Sequence, residues 1–250
     1  MRYVIKVAYD GTHFCGWQVQ NNGRTVQEEL NGAVCKAFGE DATVTASGRT
    51  DAGVHALSQI CHVDLNTDIA GEKLADALNQ RLPDDVSVIS SAVAPQGFDA
   101  NRSAKQKTYV YKMYFSPRRN PLYDRYAVWV KSAPDIGKMR EAAQTFVGEH
   151  DFAAYCASGS QVKTTVRRVY SFNVEEDGAF VSLEVCGNGF LYNMVRTLAG
   201  TVLWYSLGKL SAEDIAASLE RGDRNKVGKT MPAKGLVLKD VDYGCELFKA

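Results

Sequence analysis

Two hydrophobic periods alternate along the first hundred residues in a fixed order, and that order limits the folds open to the chain. Residues 3–9 alternate apolar with polar, the period of a half-buried strand. Thr25 and Glu28 form a T-x-x-E capping pattern ahead of a helical run. In that run Val26, Leu30, Ala33, Val34 and Ala37 share one face, and Gly39 can end it. ATVTA (42–46) reads as a short strand, and residues 59–65 alternate again with Cys61, Val63 and Leu65 on one side. A second helix is expected over 71–81, broken by Pro83 and the Asp84–Asp85 pair, before a strand over 86–93. The order is strand, helix, strand, strand, helix, strand.

GFDANRSAKQ carries no apolar periodicity, so a boundary is placed there, between a first half of residues 1–102 and a second of 103–250. The second half repeats the order with extra helices. Residues 108–115 are strong strand formers, with 126–130 as the expected neighbour. Ile136, Met139, Ala143 and Val147 mark a helix that ends at Gly148. Residues 151–163 have the small, irregular composition of a mobile loop. Residues 166–174 and 180–186 form a hairpin around an Asp-Gly turn. A long apolar helix is expected over 188–207, a helix capped by Ser211 and Asp214 follows, and 235–243 is a final strand. No sequence repeat relates the halves. This reads as an α+β chain with a largely antiparallel sheet covered by helices.

Composition is that of an ordinary globular protein, 45% hydrophobic and 23% charged, with no apolar run long enough to cross a bilayer. MRYVIKVAYDG reads as a strand rather than a signal peptide. The six cysteines form no CxxC pair and have mostly apolar neighbours, which suits buried thiols of a cytoplasmic protein. The 29 basic and 29 acidic residues cancel, which taken alone argues against a nucleic-acid partner. Their distribution argues otherwise. Between Arg102 and Lys131 stand eight basic residues against one acid, Asp124, with Tyr109, Tyr111, Tyr114, Phe115, Tyr123 and Tyr126 interleaved. Such a stretch suits a surface that holds phosphates and stacks bases. An exposed strand with tyrosines turned into the core would carry the same residues.

The chemistry on offer is narrow. There is no HExxH and no Cys/His quartet for zinc, and a strand is expected to begin between His55 and His62. There is no P-loop and no GxSxG elbow, and GNG at 187–189 lacks the third glycine of a dinucleotide fingerprint. What remains is the stretch ASGRTDAGVHA, residues 46–56. Gly48 and Gly53 give backbone freedom on either side of Arg49, Thr50 and Asp51, so a carboxylate and a guanidinium can be held at the mouth of a cleft. A solvated surface loop is the competing reading. A second cation, Arg196, lies inside the apolar helix, where burial would demand a partner. A carboxylate paired with it would stay ionised and act as nucleophile or base without a metal.

Five stretches, YDGTHFCGWQ, SGRTDAGVHA, KTYVYKM, NGFLYNMVR and PAKGLVLKDVDY, resemble in order the motifs of the tRNA pseudouridine synthase A family, from Arg2 to Tyr243. The resemblance implies an isomerase that converts uridine to pseudouridine in the anticodon stem-loop of tRNA, at uridines 38, 39 and 40, with no cofactor or metal. It implies the pseudouridine synthase fold: two ferredoxin-like halves forming a mostly antiparallel central sheet flanked by helices, with the active cleft between them. It also implies a homodimer with no membrane attachment, whose basic patches from two chains would line one groove. Asp51 matches the catalytic aspartate and Tyr109 the tyrosine that packs on the target base and aids proton removal. Arg196 matches the basic residue that pairs with the aspartate, Arg49 the arginine that helps hold the flipped nucleotide, and Leu236 a base contact. One stretch departs: where the family often has FHARFSA, this chain has FDANRSA, so Asp99, Asn101 and Arg102 alter the expected RNA contacts of that loop.

Overall fold

The computed structural model describes residues 1–159 and 162–248. It divides into two compact units, Met1–Lys105 with Val237–Ala250, and Gln106–Leu236. The division differs from a cut between residues 102 and 103 in two respects: the boundary falls after Lys105, and the C-terminal segment belongs with the first unit.

In the first unit β1 (Arg2–Tyr9) lies between β4 (Val86–Val93) and β3 (His55–Asp64), antiparallel to both. The far edge of β3 is shared. Its later residues pair antiparallel with β2 (Thr45–Ala46), and its first residues pair parallel with β10 (Leu236–Asp242), Val237 opposite His55 and Leu238 opposite Ala56. That parallel pairing is why Val237 onward belongs here. Tyr3, Ile5, Val7 and Tyr9 point from β1 into the core with Leu30 and Val34 of α1 (Val26–Phe38) and Leu74 and Leu78 of α2 (Leu74–Asn79). Each buried side chain of this size contributes about 1.5–3 kcal/mol. Thr25 caps α1 by accepting from the Glu28 N–H, and Gly39 closes it with φ +69°. β3 begins four residues earlier than its alternation suggests, so His55 and His62 lie on one strand. It is a central strand buried on both faces, and period-two patterning fades under those conditions.

In the second unit β5 (Gln106–Phe115), β9 (Phe180–Gly187), β8 (Val166–Asp177) and β7 (Gly148–Asp151) follow one another antiparallel, and β6 (Val128–Val130) pairs parallel with β5. Residues 151–163 are not the expected mobile loop throughout. Phe152 precedes a short 3-10 turn that ends at Tyr155; both are fully buried and pack edge-to-face at 5.8 Å. Residues 160 and 161 of that stretch lie outside the described residues. Helix α3 (Ile136–Gln144) covers the sheet and packs against α4 (Met194–Ser206); α5 (Ala212–Arg221) carries the complete Ser211/Asp214 capping box.

α4 starts six residues later than its apolar run. The backbone of the preceding segment is committed elsewhere: Asn188 N–H donates to Arg168 O at 3.0 Å, Tyr192 O accepts from Ala157 N–H at 3.0 Å, and Asn193 adopts φ +61°. The cysteines are unpaired, as expected, but differ from expectation in burial. All six are free, and only Cys61 is fully buried, its thiol pushed up by burial; Cys35 and Cys245 are exposed.

Two helical glycines make a test. A Cβ on Gly200 of α4 would come within 2.0 Å of Lys229 O, whereas one on Gly32 of α1 meets nothing within 4 Å. Gly200→Ala is expected to destabilise by about 1–3 kcal/mol and Gly32→Ala to stabilise by about 0.5–1 kcal/mol in denaturant unfolding. Equal effects of the two would contradict this packing.

Candidate active site

Asp51 sits in a short loop between β2 and β3, and neighbouring backbone holds that loop. The segment after β1, YDGTHFCGWQ, runs directly beneath it. A Cβ on Gly11 would fall 2.0 Å from Val54 O, and one on Gly16 would fall 2.8 Å from Thr50 O and 3.3 Å from Asp51 C. Gly16 also has φ +96°, which side chains rarely tolerate. The approach allows backbone bonds: Trp17 N–H donates to Thr50 O at 3.0 Å, and Gly53 N–H to Phe14 O at 3.3 Å. Within the loop Val54 N–H returns to Asp51 O at 3.1 Å, and Gly53 turns the chain at φ +79°.

Side chains complete the mounting. The Tyr9 hydroxyl meets Thr50 Oγ1 at 2.7 Å in a buried contact. Gln59 spans the loop's start, pairing with Ser47 Oγ at 2.5 Å and donating to Gly48 O at 2.8 Å. Asn101 donates to Ser47 O at 2.5 Å. The buried His55 ring accepts from Gly11 N–H at 3.0 Å. Thr50 is buried, Asp51 is half-buried and Arg49 is exposed. The half-buried carboxylate thus stands on a fixed backbone, two residues along the chain from exposed Arg49.

Asn101, in the departing loop, is a mounting residue that sequence reasoning missed. Its own loop is ordered by Asp99, whose carboxylate accepts from the N–H groups of Asn101 and Arg102 at 2.9 Å each. Those bonds, that of Arg102 first, hold the Asp99 carboxyl below its usual range. Ala100 N–H donates to His62 Nδ1 at 3.0 Å, and Tyr243 donates to Ala100 O at 2.6 Å.

In the second unit Tyr109 projects from β5, opposite Val185 of β9, and is buried. Phe190 meets its ring edge-on, at 5.3 Å and 88°. Phe190 went unread in the sequence because its apolar neighbours suggest helix interior. Arg196 is half-buried rather than enclosed, and it lies in the first turn of α4. A cation there opposes the helix dipole, so the position serves something other than helix stability. Its Nε donates to Met231 O at 2.7 Å and its Nη1 to Asn193 Oδ1 at 2.5 Å, both neutral acceptors. Tyr111 donates to Pro232 O at 2.8 Å, and burial pushes its phenol well above the usual value. Arg196 and Tyr111 thus hold the corner that leads through Gly235 to Leu236. Gly235 admits no side chain, because a Cβ would meet Lys112 O and the Tyr111 ring at 2.8 Å; Leu236 is buried.

Among the described residues no cluster of three or more His, Cys, Asp or Glu could hold a metal ion, and no helix is long and apolar enough to cross a membrane. The architecture and the order of these motifs meet in one comparison. A model of the tRNA pseudouridine synthase family matches residues 5–101 and 142–244. The chain belongs to that family. The proteins named tRNA pseudouridine synthase A of Ruminiclostridium cellulolyticum and Citrifermentans bemidjiense are each 44% identical to it. The first match covers 96% of this chain and 98% of the relative, the second 95% of each. That of Shouchella clausii is 43% identical, over 99% of this chain and 95% of its own. The family match brackets Asp51 and Arg196, whereas Tyr109 falls in the interval between its two stretches.

Two residues before Tyr109 and on the same strand face, Lys107 is a half-buried amine lowered to about 8, by burial first and by Arg167 second. The unfolded chain keeps that proton up to the ordinary lysine value of 10.5. Between those values the unfolded state binds more protons, so stability rises with pH. Lys107→Met is expected to remove this rise when urea unfolding is compared at about pH 7.5 and about pH 9.5; an unchanged difference would contradict it.

Proposed function

We propose that this chain isomerises uridine to pseudouridine in tRNA, with Asp51 as the essential carboxylate. The N–C1′ bond of the target uridine breaks, the uracil turns within the site, a carbon of the same ring rejoins C1′ and gives up its proton, and the freed ring nitrogen takes one up. No atom is gained or lost, and no cofactor is consumed. Asp51 is the nucleophile on sugar or base, or the base at C2′; either role needs a carboxylate at a defined position. The observation that carries this reading is the mounting of the Asp51 loop, pinned at Ser47, Thr50 and Gly53. A carboxylate that must meet one carbon of a bound nucleotide gains from a backbone that does not wander, because small misplacements are costly in rate.

The uridine leaves the stack to react, at a cost of a few kcal/mol that pocket contacts offset. Tyr109, steadied by Phe190, is the platform for the flipped base and assists proton removal. Arg196 supplies positive charge to the reacting carboxylate's site, Arg49 helps hold the flipped nucleotide, and Leu236 contacts the base. The targets are uridines 38, 39 and 40 of the anticodon stem-loop. The enzyme acts in the cytoplasm as a homodimer.

Asp51→Asn keeps the size of the side chain and removes its nucleophilicity and basicity. It is expected to lower pseudouridine formation by at least about a hundredfold, while tRNA affinity stays near wild type. Tyr109→Phe is expected to lower turnover by about tenfold or more and to keep stacking. Full activity of Asp51→Asn would end the proposal, and wild-type rates for Tyr109→Phe would show the hydroxyl to be idle.

A further inference from the structure

The segment after β5, residues 116–127, has no place in the chemistry above, yet it is built with care. Its interior is pinned. The Tyr114 hydroxyl donates to Asn120 O and accepts from Asn120 N–H, both at 3.1 Å. Tyr123 packs edge-on against Tyr114 at 5.5 Å and Phe180 at 4.8 Å. Asp124, buried, takes Lys234 at 2.8 Å together with Arg119. Burial works to raise its carboxyl, but those two cations hold it below the usual range. Trp129 closes the base by donating from Nε1 to Ser116 O at 2.8 Å.

The exterior is basic and apolar together. Arg118 and Arg125 are exposed, Leu122 is 86% exposed and Tyr126 is 48% exposed. The Arg125 guanidinium lies 5.7 Å from the centre of the Tyr126 ring. The segment's one acid, Asp124, is already bonded, so its outward face is positive in a chain whose net charge is zero. Guanidinium groups suit phosphates, and exposed rings suit bases or ribose faces. The segment leaves β5 seven residues beyond Tyr109, about 23 Å along the extended chain, and rejoins the sheet where Val128 pairs with Met113. Arg118 and Arg125 lie on this connection, outside the strand that carries Tyr109.

We infer that residues 116–127 form a preformed RNA-gripping arm, in which Arg118 and Arg125 hold backbone phosphates flanking the target uridine and Tyr126 and Leu122 lie against the adjoining nucleotides. The inference rests on the reading of the chain as a tRNA-modifying enzyme. Such an arm supplies binding through groups that do not take part in the chemistry, so its loss appears in substrate affinity.

The test is the double variant Arg118→Glu with Arg125→Glu. Three things are measured: steady-state turnover of tRNA, tRNA binding across a salt series, and mass in solution by light scattering. KM for tRNA is expected to rise by about tenfold or more, with the loss in KM rather than in kcat, and the slope of log affinity against log salt to become shallower by about 2. Wild-type KM and salt slope would overturn the inference. So would a changed oligomeric mass, which would make the arm a contact between copies of this chain. Binding is read apart from turnover: a wild-type protein that makes no pseudouridine sinks the proposed function, while the salt series still decides the arm.

Discussion

Backbone lies directly on backbone where Gly11 and Gly16 pass beneath the Asp51 loop, and the candidate active site depends on that approach. A single methyl at either glycine would overlap a carbonyl of residues 50–54. Because neither has one, two loops distant in sequence share hydrogen bonds from Trp17 to Thr50 and from Gly53 to Phe14. The loop's conformation is therefore set by a neighbour rather than by its own composition, which is what a polar, glycine-bracketed stretch needs to hold a reactive side chain still. Tyr9, Gln59 and Asn101 add side-chain contacts to the same end.

The second unit uses the same device. Gly200 of α4 and Gly228 meet at backbone distance, which lets the segment before Leu236 lie along the helix. Gly228 N–H donates to Thr201 Oγ1 at 2.9 Å, and the Arg196 side chain fixes the following corner through Met231 O. Arg196 is thus a structural clamp as well as a charge, and its place at the unfavourable end of a helix is explained by what it holds.

Much of the fold was legible in the sequence because its signals are local. The caps at Thr25 and Ser211, the closing glycine Gly39, and the Asp-Gly hairpin before Phe180 need no partner to be read. The elements that went unread depend on distant residues. β7, with sequence GEHD, is polar and four residues long, and only pairing with β8 makes it a strand. The start of α4 is decided by bonds from Asn188 to Arg168 and from Ala157 to Tyr192 rather than by apolar periodicity. The parallel pairing of β10 with β3 joins residues some 180 positions apart, beyond the reach of any local pattern. The site divides in the same way. Asp51 announced itself by motif; the residues that mount its loop, Asn101 above all, act through single long-range hydrogen bonds that leave no periodic trace.

One chemical claim underlies the proposed function: this chain rearranges uridine within intact tRNA through Asp51. The most direct measurement is to incubate unmodified tRNA with the protein alone and map pseudouridine by chemical labelling, while assaying the same mixture for released uracil. Labelled pseudouridine is expected in the anticodon stem-loop, with no added metal or cofactor and no free base. Release of uracil without pseudouridine would contradict it, and would make the chain a hydrolase of the same bond.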